Sequence, residues 1–408
     1  MSGIFILLMF RNFKKNSYNR FSNHSRNRFP QKRRFSGGAQ FTKKINISKF
    51  INKAVLTEKT ESFVPANQFK DFNLDSRLMA NIVAKNYTEP TPIQDKIISH
   101  ILEGSDVMGV ANTGTGKTGA FLIPLIQKAL KNPKEKILIV VPTRELAEQI
   151  NREFKSLAKG LRLYSVCCVG GASIRAQIFD LKQYNNFIIG TPGRLKDLIQ
   201  RKFINLLSFS TIVLDEADRM LDMGFIGDMK FIVSLMPKNR HTLLFSATII
   251  REVETLAREF LNNPVIISVK TGDTPENIEQ DIIRVGGAEK IAVLQSLLFK
   301  VEFTKVLIFG KTKHGVENLS KKLVARGFKA ESIHGNKSHP QRQKSLESFR
   351  GNRIQILVAT DVAARGLDIP DVSHVINYDM PNTHEDYIHR IGRTGRINKK
   401  GMALTFID

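Results

Sequence analysis

Short apolar runs that do not alternate with polar residues, separated by amphipathic stretches of helical length, most restrict how this chain can fold. ILIVV (137–141), TIVLD (211–215) and TLLFS (242–246) are such runs. Four to six consecutive apolar residues read as a strand buried on both faces. Strands that alternate with helices form a parallel sheet with helices against it. A second series, VLIFG (306–310), IQILVAT (354–360) and HVINYD (374–379), has the same texture, with helical sequence such as GVENLSKKLVARG between its strands. Between the two series, SVKTGDTPENIEQ (268–280) is polar and carries Gly and Pro, the composition of a linker. The expected fold is therefore α/β, with two tandem domains at 63–268 and 281–408 joined by a linker at 269–280. Each should be a mostly parallel sheet with helices on both faces. A chain of 408 residues is also longer than one core usually organises.

Residues 1–62 read differently. The first 60 hold 14 Lys and Arg against one acid, Glu58, a balance of +13 out of a formal +24 for the whole chain. From Arg11 to about Lys53 there is no sustained apolar period, and Phe and Tyr are scattered among Arg, Lys and Asn. Such a segment buries too little surface to fold alone, so a disordered basic tail is expected. Cations interleaved with aromatic rings suit a sequence-tolerant arm on single-stranded nucleic acid, and a merely solubilising tail is the alternative. The overall positive excess favours a polyanionic partner, nucleic acid before an anionic membrane. Ile4 to Phe10 is too short to span a bilayer and lacks the flanks of a secretory signal. A mitochondrial transit peptide competes with a bacterial cytoplasmic location, because residues 11–50 are basic and free of acids. Cys167 and Cys168 are the only cysteines and adjoin in an apolar stretch, where strand geometry turns them to opposite faces, so no disulfide is expected.

DVMGVANTGTGKTGAFLIPLIQKAL supplies a strand, a Gly-rich turn and a helix. In the turn ANTGTGKT (111–118), which holds Thr113, Gly114, Thr115, Gly116, Lys117 and Thr118, backbone N–H groups and the helix N-terminus can wrap phosphates. Lys117 can reach the β and γ groups and Thr118 can ligate Mg2+. Ala111 stands where the general pattern has its first Gly. About a hundred residues on, TIVLDEAD is a strand ending in Asp215 and Glu216, at the edge where open α/β sheets bind ligands. One carboxylate there can hold Mg2+, and a second can orient or deprotonate water. The histidine pairs His334/His339 and His384/His389 are each five apart, off the spacing of helical zinc ligands, so Mg2+ is the metal implied.

With DEAD at 215–218, the phosphate turn at 111–118, SAT at 246–248 and HRIGRTGR at 389–396, the chain resembles the DEAD-box family of RNA-dependent ATPases from about Phe69 to its C-terminus. The resemblance implies two RecA-like domains that use ATP and Mg2+ and grip RNA. In TEPTPIQ (88–94) it gives Gln94 to the adenine, Tyr87 to stacking on the base and Phe69 as the upstream aromatic; Asn86 replaces the usual Gly before Tyr87. It gives Thr143, Arg144, Gly171, Thr191, Gly193 and Arg194 in the first domain to the RNA backbone, with Gly335, Arg342 and Thr360 in the second. His339 stands where the family commonly has Gln. Asp368 falls to the ATP ribose, Arg393 and Arg396 to the arginine fingers, and Ser246 and Thr248 to the coupling of nucleotide state with strand separation.

The implied activity is RNA-dependent hydrolysis of ATP coupled to local duplex unwinding or remodelling of RNA–protein complexes. Backbone contacts carry little sequence information, so binding is expected to be sequence-independent. A monomer is expected, with no membrane partner. No inserted wedge domain or C-terminal module is expected, which favours local opening over long-range translocation. A DNA helicase or translocase on the same scaffold is the competing enzyme, since fold does not fix substrate. An ATP-gated RNA clamp with little unwinding is the competing non-unwinding reading.

Overall fold

The computed structural model describes residues 63–112, 114–269, 278–287, 289–364, 369, 371–395 and 400–407. The basic segment 1–62 lies outside them. The first sheet contains β1 (Val107–Ala111), β2 (Ile137–Val140), β3 (Ser165–Cys168), β4 (Phe187–Gly190), β5 (Thr211–Leu214), β6 (His241–Ser246) and β7 (Val265–Val269). The second contains β8 (Ile278–Arg284), β9 (Val306–Phe309), β10 (Ala330–Ile333), β11 (Ile356–Ala359), β12 (His374–Asn377) and β13 (Gly401–Ile407). Their orders are β3-β4-β2-β5-β6-β1-β7 and β10-β11-β9-β12-β13-β8. Every strand pairing described is parallel.

The unalternating runs are explained by burial on both faces. Ile137 and Ile139 of β2 join one apolar cluster with Val213 and Phe245, whereas Leu138 and Val140 join another with Ile212 and Leu244. Successive side chains of a strand point to opposite faces, and helices cover both. The second sheet repeats this, with Val306 and Ile308 in one cluster and Leu307 and Phe309 in the other. Cys167 and Cys168 likewise pack on opposite faces of the first sheet as free thiols, and burial pushes the Cys167 thiol up to about 12.

Edge strands depart from the buried pattern. In β7 half-buried residues alternate with exposed ones, and β8 begins with Ile278 and Gln280 buried around an exposed Glu279. Strand therefore occupies both ends of the stretch that composition assigned to a linker, since Val269 closes β7 and Ile278 to Gln280 open β8. A one-sided edge strand carries polar residues at alternate positions, which is why Ile278–Gln280 read as connection rather than strand.

Because all strands run parallel, every loop that follows a strand emerges at the same edge. Strand order then decides which loops are neighbours. In the first sheet the loops after β5, β6 and β1 are adjacent, and those after β3, β4 and β2 form the other half. In the second sheet the loops after β10, β11 and β9 lie side by side.

Candidate active site and nucleic-acid interface

The loops after β5, β6 and β1 carry DEAD, SAT and the Gly-rich turn. Ala111 is the last residue of β1 and fully buried, so the position that departs from the general pattern is a buried strand residue. Gly116 has φ 93°, and a Cβ there would come within 2.8 Å of both Gln94 Nε2 and Thr91 Oγ1. Glycine thus serves both the left-handed turn and the close approach of the neighbouring helix. Lys117 opens the helix Lys117–Lys131, is buried, and donates from Nζ to the carbonyl of Ala111 at 2.8 Å. Thr118 follows it in the first turn, with Gly114 at φ 85° ahead. Thr115 Oγ1 donates to the Asn112 carbonyl at 2.8 Å, bracing the turn internally. Thr113 lies outside the described residues.

Gln94 is not the surface helix residue that its position alone allows; it is 2% exposed. Its Oε1 accepts from the Thr91 N–H at 3.0 Å in a capping box that starts the helix Pro92–Glu103. Its Nε2 donates to the Gly116 carbonyl at 3.0 Å, joining this helix to the Gly-rich turn. Phe69 and Tyr87 stack with centroids 6.3 Å apart, and the Tyr87 hydroxyl donates to Glu153 at 2.7 Å. Asn86 has φ 59°, the left-handed conformation that Gly adopts freely and that Asn tolerates better than most residues. The substitution at this position therefore preserves the backbone geometry.

Asp215 and Glu216 stand at the end of β5, both buried. Burial pushes the Asp215 carboxyl up to about 6, against the pull of the Lys117 ammonium nearby. Glu216 holds a left-handed backbone, φ 54°, and its carboxylate is paired with the buried guanidinium of Arg219. Non-Gly residues in that region persist only where surroundings hold them, and such strain clusters at functional sites. A hydroxyl and a carboxylate from the protein, completed by phosphate oxygens and water, make the hard-oxygen set that Mg2+ takes, so Thr118 and Asp215 fit that ion. No group of three or more His, Cys, Asp or Glu suited to a metal occurs among the described residues.

Asp218 is a site residue that the sequence reading did not single out. Its Oδ2 accepts from the backbone N–H groups of Ala247 and Thr248, both at 3.0 Å, and from the Thr248 hydroxyl at 3.1 Å. The Ser246 hydroxyl donates to the Thr248 carbonyl at 2.8 Å. DEAD and SAT are thereby one hydrogen-bonded unit. The signal was the tetrad itself, but its last carboxylate gains a partner only because β5 and β6 adjoin.

The other half of the edge gathers Thr143 and Arg144 after β2, Gly171 after β3, and Thr191, Gly193 and Arg194 after β4. Thr143 caps the helix Arg144–Leu157, its hydroxyl accepting from the Leu146 N–H at 3.3 Å. Arg194 donates to Gln177 Oε1 at 2.9 Å. Gly171, at φ 78°, lies against Arg144 so closely that a Cβ would fall 2.0 Å from its Nη1. In the second domain Gly335 follows β10 and is exposed, and Thr360 follows β11 and is buried. Arg342 pairs with Glu145 of the first domain, Nη2 to Oε1 2.7 Å, a partner that the sequence reading did not give it. Arg393 is buried beyond the helix His384–Ile391, with Nε donating to the His389 carbonyl at 3.3 Å. Asp368 and Arg396 lie outside the described residues. Arg390, also not singled out from sequence, is 2% exposed, grips Asp361 with two bonds of 2.5 and 2.7 Å, and stacks on Phe309. It ties the helix that precedes Arg393 to Asp361, just after β11.

Family models match in tandem: DEAD/DEAH box helicase over residues 91–256 and helicase conserved C-terminal domain over 289–398. The chain is 45% identical over 341 residues to the DEAD-box ATP-dependent RNA helicase CshA of Bacillus subtilis, covering 83% of this chain and 69% of that protein. It belongs to the DEAD-box family of ATP-dependent RNA helicases. The chain spans about two thirds of the length of the curated relatives it matches.

Among solved structures of DEAD-box proteins, Saccharomyces cerevisiae Dbp5 bound to RNA and ADP BeF3 matches at a TM-score of 0.76 and 31% identity, over 84% of this chain and 90% of that one. A DEAD box protein from Methanococcus jannaschii is more alike in sequence, 40%, yet reaches only 0.50 over 83% and 93%. In this structure the two domains are in contact. Among the described residues no helix is long and apolar enough to cross a membrane.

Proposed function

We propose that this chain hydrolyses ATP in response to RNA and uses the cycle to open short duplexes or remodel RNA–protein complexes. The observation that carries the proposal is the hydrogen-bonded unit of Asp218 with Thr248, which joins the loop bearing Asp215 and Glu216 to the loop after β6, beside the Gly-rich turn. In this reading Lys117 and the turn around Gly114, Thr115 and Gly116 hold the phosphates. Thr118 and Asp215 hold Mg2+, whose charge would offset that of the phosphates. Gln94, Tyr87 and Phe69 select adenine, and Glu216 orients the attacking water. Arg393 and Arg396 meet the γ-phosphate from the second domain, and Asp368 takes the ribose. Thr143, Arg144, Gly171, Thr191, Gly193, Arg194, Gly335, Arg342 and Thr360 grip the RNA backbone, and Ser246 and Thr248 transmit closure.

The deciding experiment is the ATPase rate with and without single-stranded RNA, with matched DNA as control. RNA alone should stimulate hydrolysis, and Glu216→Gln should lower the stimulated kcat by at least about a hundredfold, the usual worth of a positioned base. Equal stimulation by DNA would replace this reading with a DNA translocase. A location in the bacterial cytoplasm fits the kinship with bacterial CshA proteins.

A further inference from the structure

At the opposite edge of the first sheet, the loops entering β2, β3 and β4 converge on two tyrosines. Tyr164 precedes β3 and is 54% exposed; Tyr184 precedes β4 and is 56% exposed. Their rings meet edge to face, with centroids 6.2 Å apart. A buried amide organises the pair. Asn186, 1% exposed, accepts from the Tyr164 N–H at 3.4 Å through Oδ1, and its Nδ2 donates to the Tyr184 hydroxyl and to the Pro133 carbonyl, each at 3.1 Å. The Tyr184 hydroxyl in turn donates to the Pro133 carbonyl at 2.6 Å. The ring of Tyr184 is thus held at its tip while more than half of the residue stays in solvent, and a side chain already fixed loses little freedom on binding. Lys131 and Lys134 lie either side of Pro133, Lys182 two residues before Tyr184 and Arg162 two before Tyr164, all exposed. The acids beside them are Asp180, which is exposed, and Glu135, which is buried and accepts from Ser210 and Thr211.

We propose that Tyr164 and Tyr184 form a second contact for single-stranded RNA, in which bases stack on the rings and the neighbouring Lys and Arg side chains hold the phosphates. The proposal rests on the helicase reading for its ligand. Exposed aromatic rings among cations hold single strands whatever their sequence, since every base has a π face. The excess of exposed cations over Asp180 favours a polyanion over a protein surface of ordinary charge. The same three strands carry the loops proposed to grip RNA at their other ends. Each is four residues long, about 13 Å. A ligand must run past those loops to reach the tyrosines, so the site adds affinity only for a strand long enough to engage both, as a second linked module does.

Fluorescence anisotropy of the full chain with AMP-PNP and labelled oligouridine, of about 8 and about 30 nucleotides, separates one contact from two. Tyr164→Leu combined with Tyr184→Leu should weaken the long strand by about fivefold or more, the lower end of what stacking one base contributes, and leave the short strand unchanged. Tyr164→Phe keeps a ring and should bind the long strand as the native chain does. Lys134→Gln with Lys182→Gln should flatten the salt dependence for the long strand alone, since fewer phosphates are neutralised. Native affinity for the long strand in the double Leu variant would overturn the site and leave the tyrosines to a protein partner. Equal loss on both lengths would also overturn it, because the defect would then lie in the main grip. If RNA fails to stimulate hydrolysis while the Leu variant loses only the long strand, the helicase reading falls and the stacking site stands.

Discussion

Gly171 and Arg144 illustrate how one residue acts through another. From sequence, glycine in this loop reads as a means of letting backbone N–H groups approach phosphate. The structure adds a reason: at φ 78° with a guanidinium 2.0 Å from where a Cβ would sit, only glycine leaves Arg144 in place. Gly171→Ala should weaken binding of single-stranded RNA by a factor of several, approaching the loss from Arg144→Ala, where removal of one charge-assisted bond costs about tenfold or more. Fluorescence anisotropy with labelled RNA measures both, and ATP affinity without RNA should not change. Asn86 makes the converse point, since its left-handed backbone could be inferred from Asn standing in a glycine position. Gln94 could not be placed in the same way, because only the packing of two helices shows its amide spanning Thr91 and Gly116.

At the scale of elements, each sheet holds a histidine whose neutrality is part of its packing. In β6, His241 accepts from the Lys128 ammonium at Nδ1 and donates from Nε2 to the Ser105 carbonyl at 2.7 Å, a pattern that only the neutral ring satisfies. In β12, His374 stacks on Phe303 with centroids 3.8 Å apart. Burial lowers both from 6.5 to about 4, with Lys128 adding to the effect on His241. A folded value depressed in this way means that the unfolded chain takes up protons first on acidification. Stability is therefore full above about pH 6.5 and is lost as pH falls toward 4. By pH 5.5 each histidine should cost roughly 1 kcal/mol. Urea midpoints at pH 7.5 and 5.5 test this: the native chain should lose stability, and His241→Gln and His374→Gln should each reduce the difference.

Across the whole molecule, the residues proposed for chemistry divide between domains, with Lys117, Asp215 and Glu216 on the first and Arg393 on the second. Hydrolysis then depends on closure, and ATP and RNA should each raise the affinity of the other. Arg393→Lys keeps a charge and loses the planar fork, so RNA-stimulated kcat should fall by about 10³-fold or more while RNA affinity under AMP-PNP changes little. Steady-state kinetics beside a binding titration separates the two. A parallel loss of affinity would show that Arg393, which is buried, supports the domain rather than the γ-phosphate.

Sequence by itself marked the runs ILIVV, TIVLD and TLLFS of the first sheet and VLIFG, IQILVAT and HVINYD of the second as strands, because residues buried on two faces must be apolar without alternation, and it marked the phosphate turn and DEAD, because their chemistry needs those residue types at that spacing. It read Ile278–Gln280 as linker where the structure has the start of β8, since a strand with one neighbour can carry alternate polar residues. Strand order was decided by tertiary structure alone. Placing β6 between β5 and β1 makes Asp218 the partner of Thr248, and docking one domain on the other sets His339 against Glu148. Both contacts join residues distant in the chain, where neither periodicity nor local propensity extends, and they form only when whole sheets and whole domains have packed.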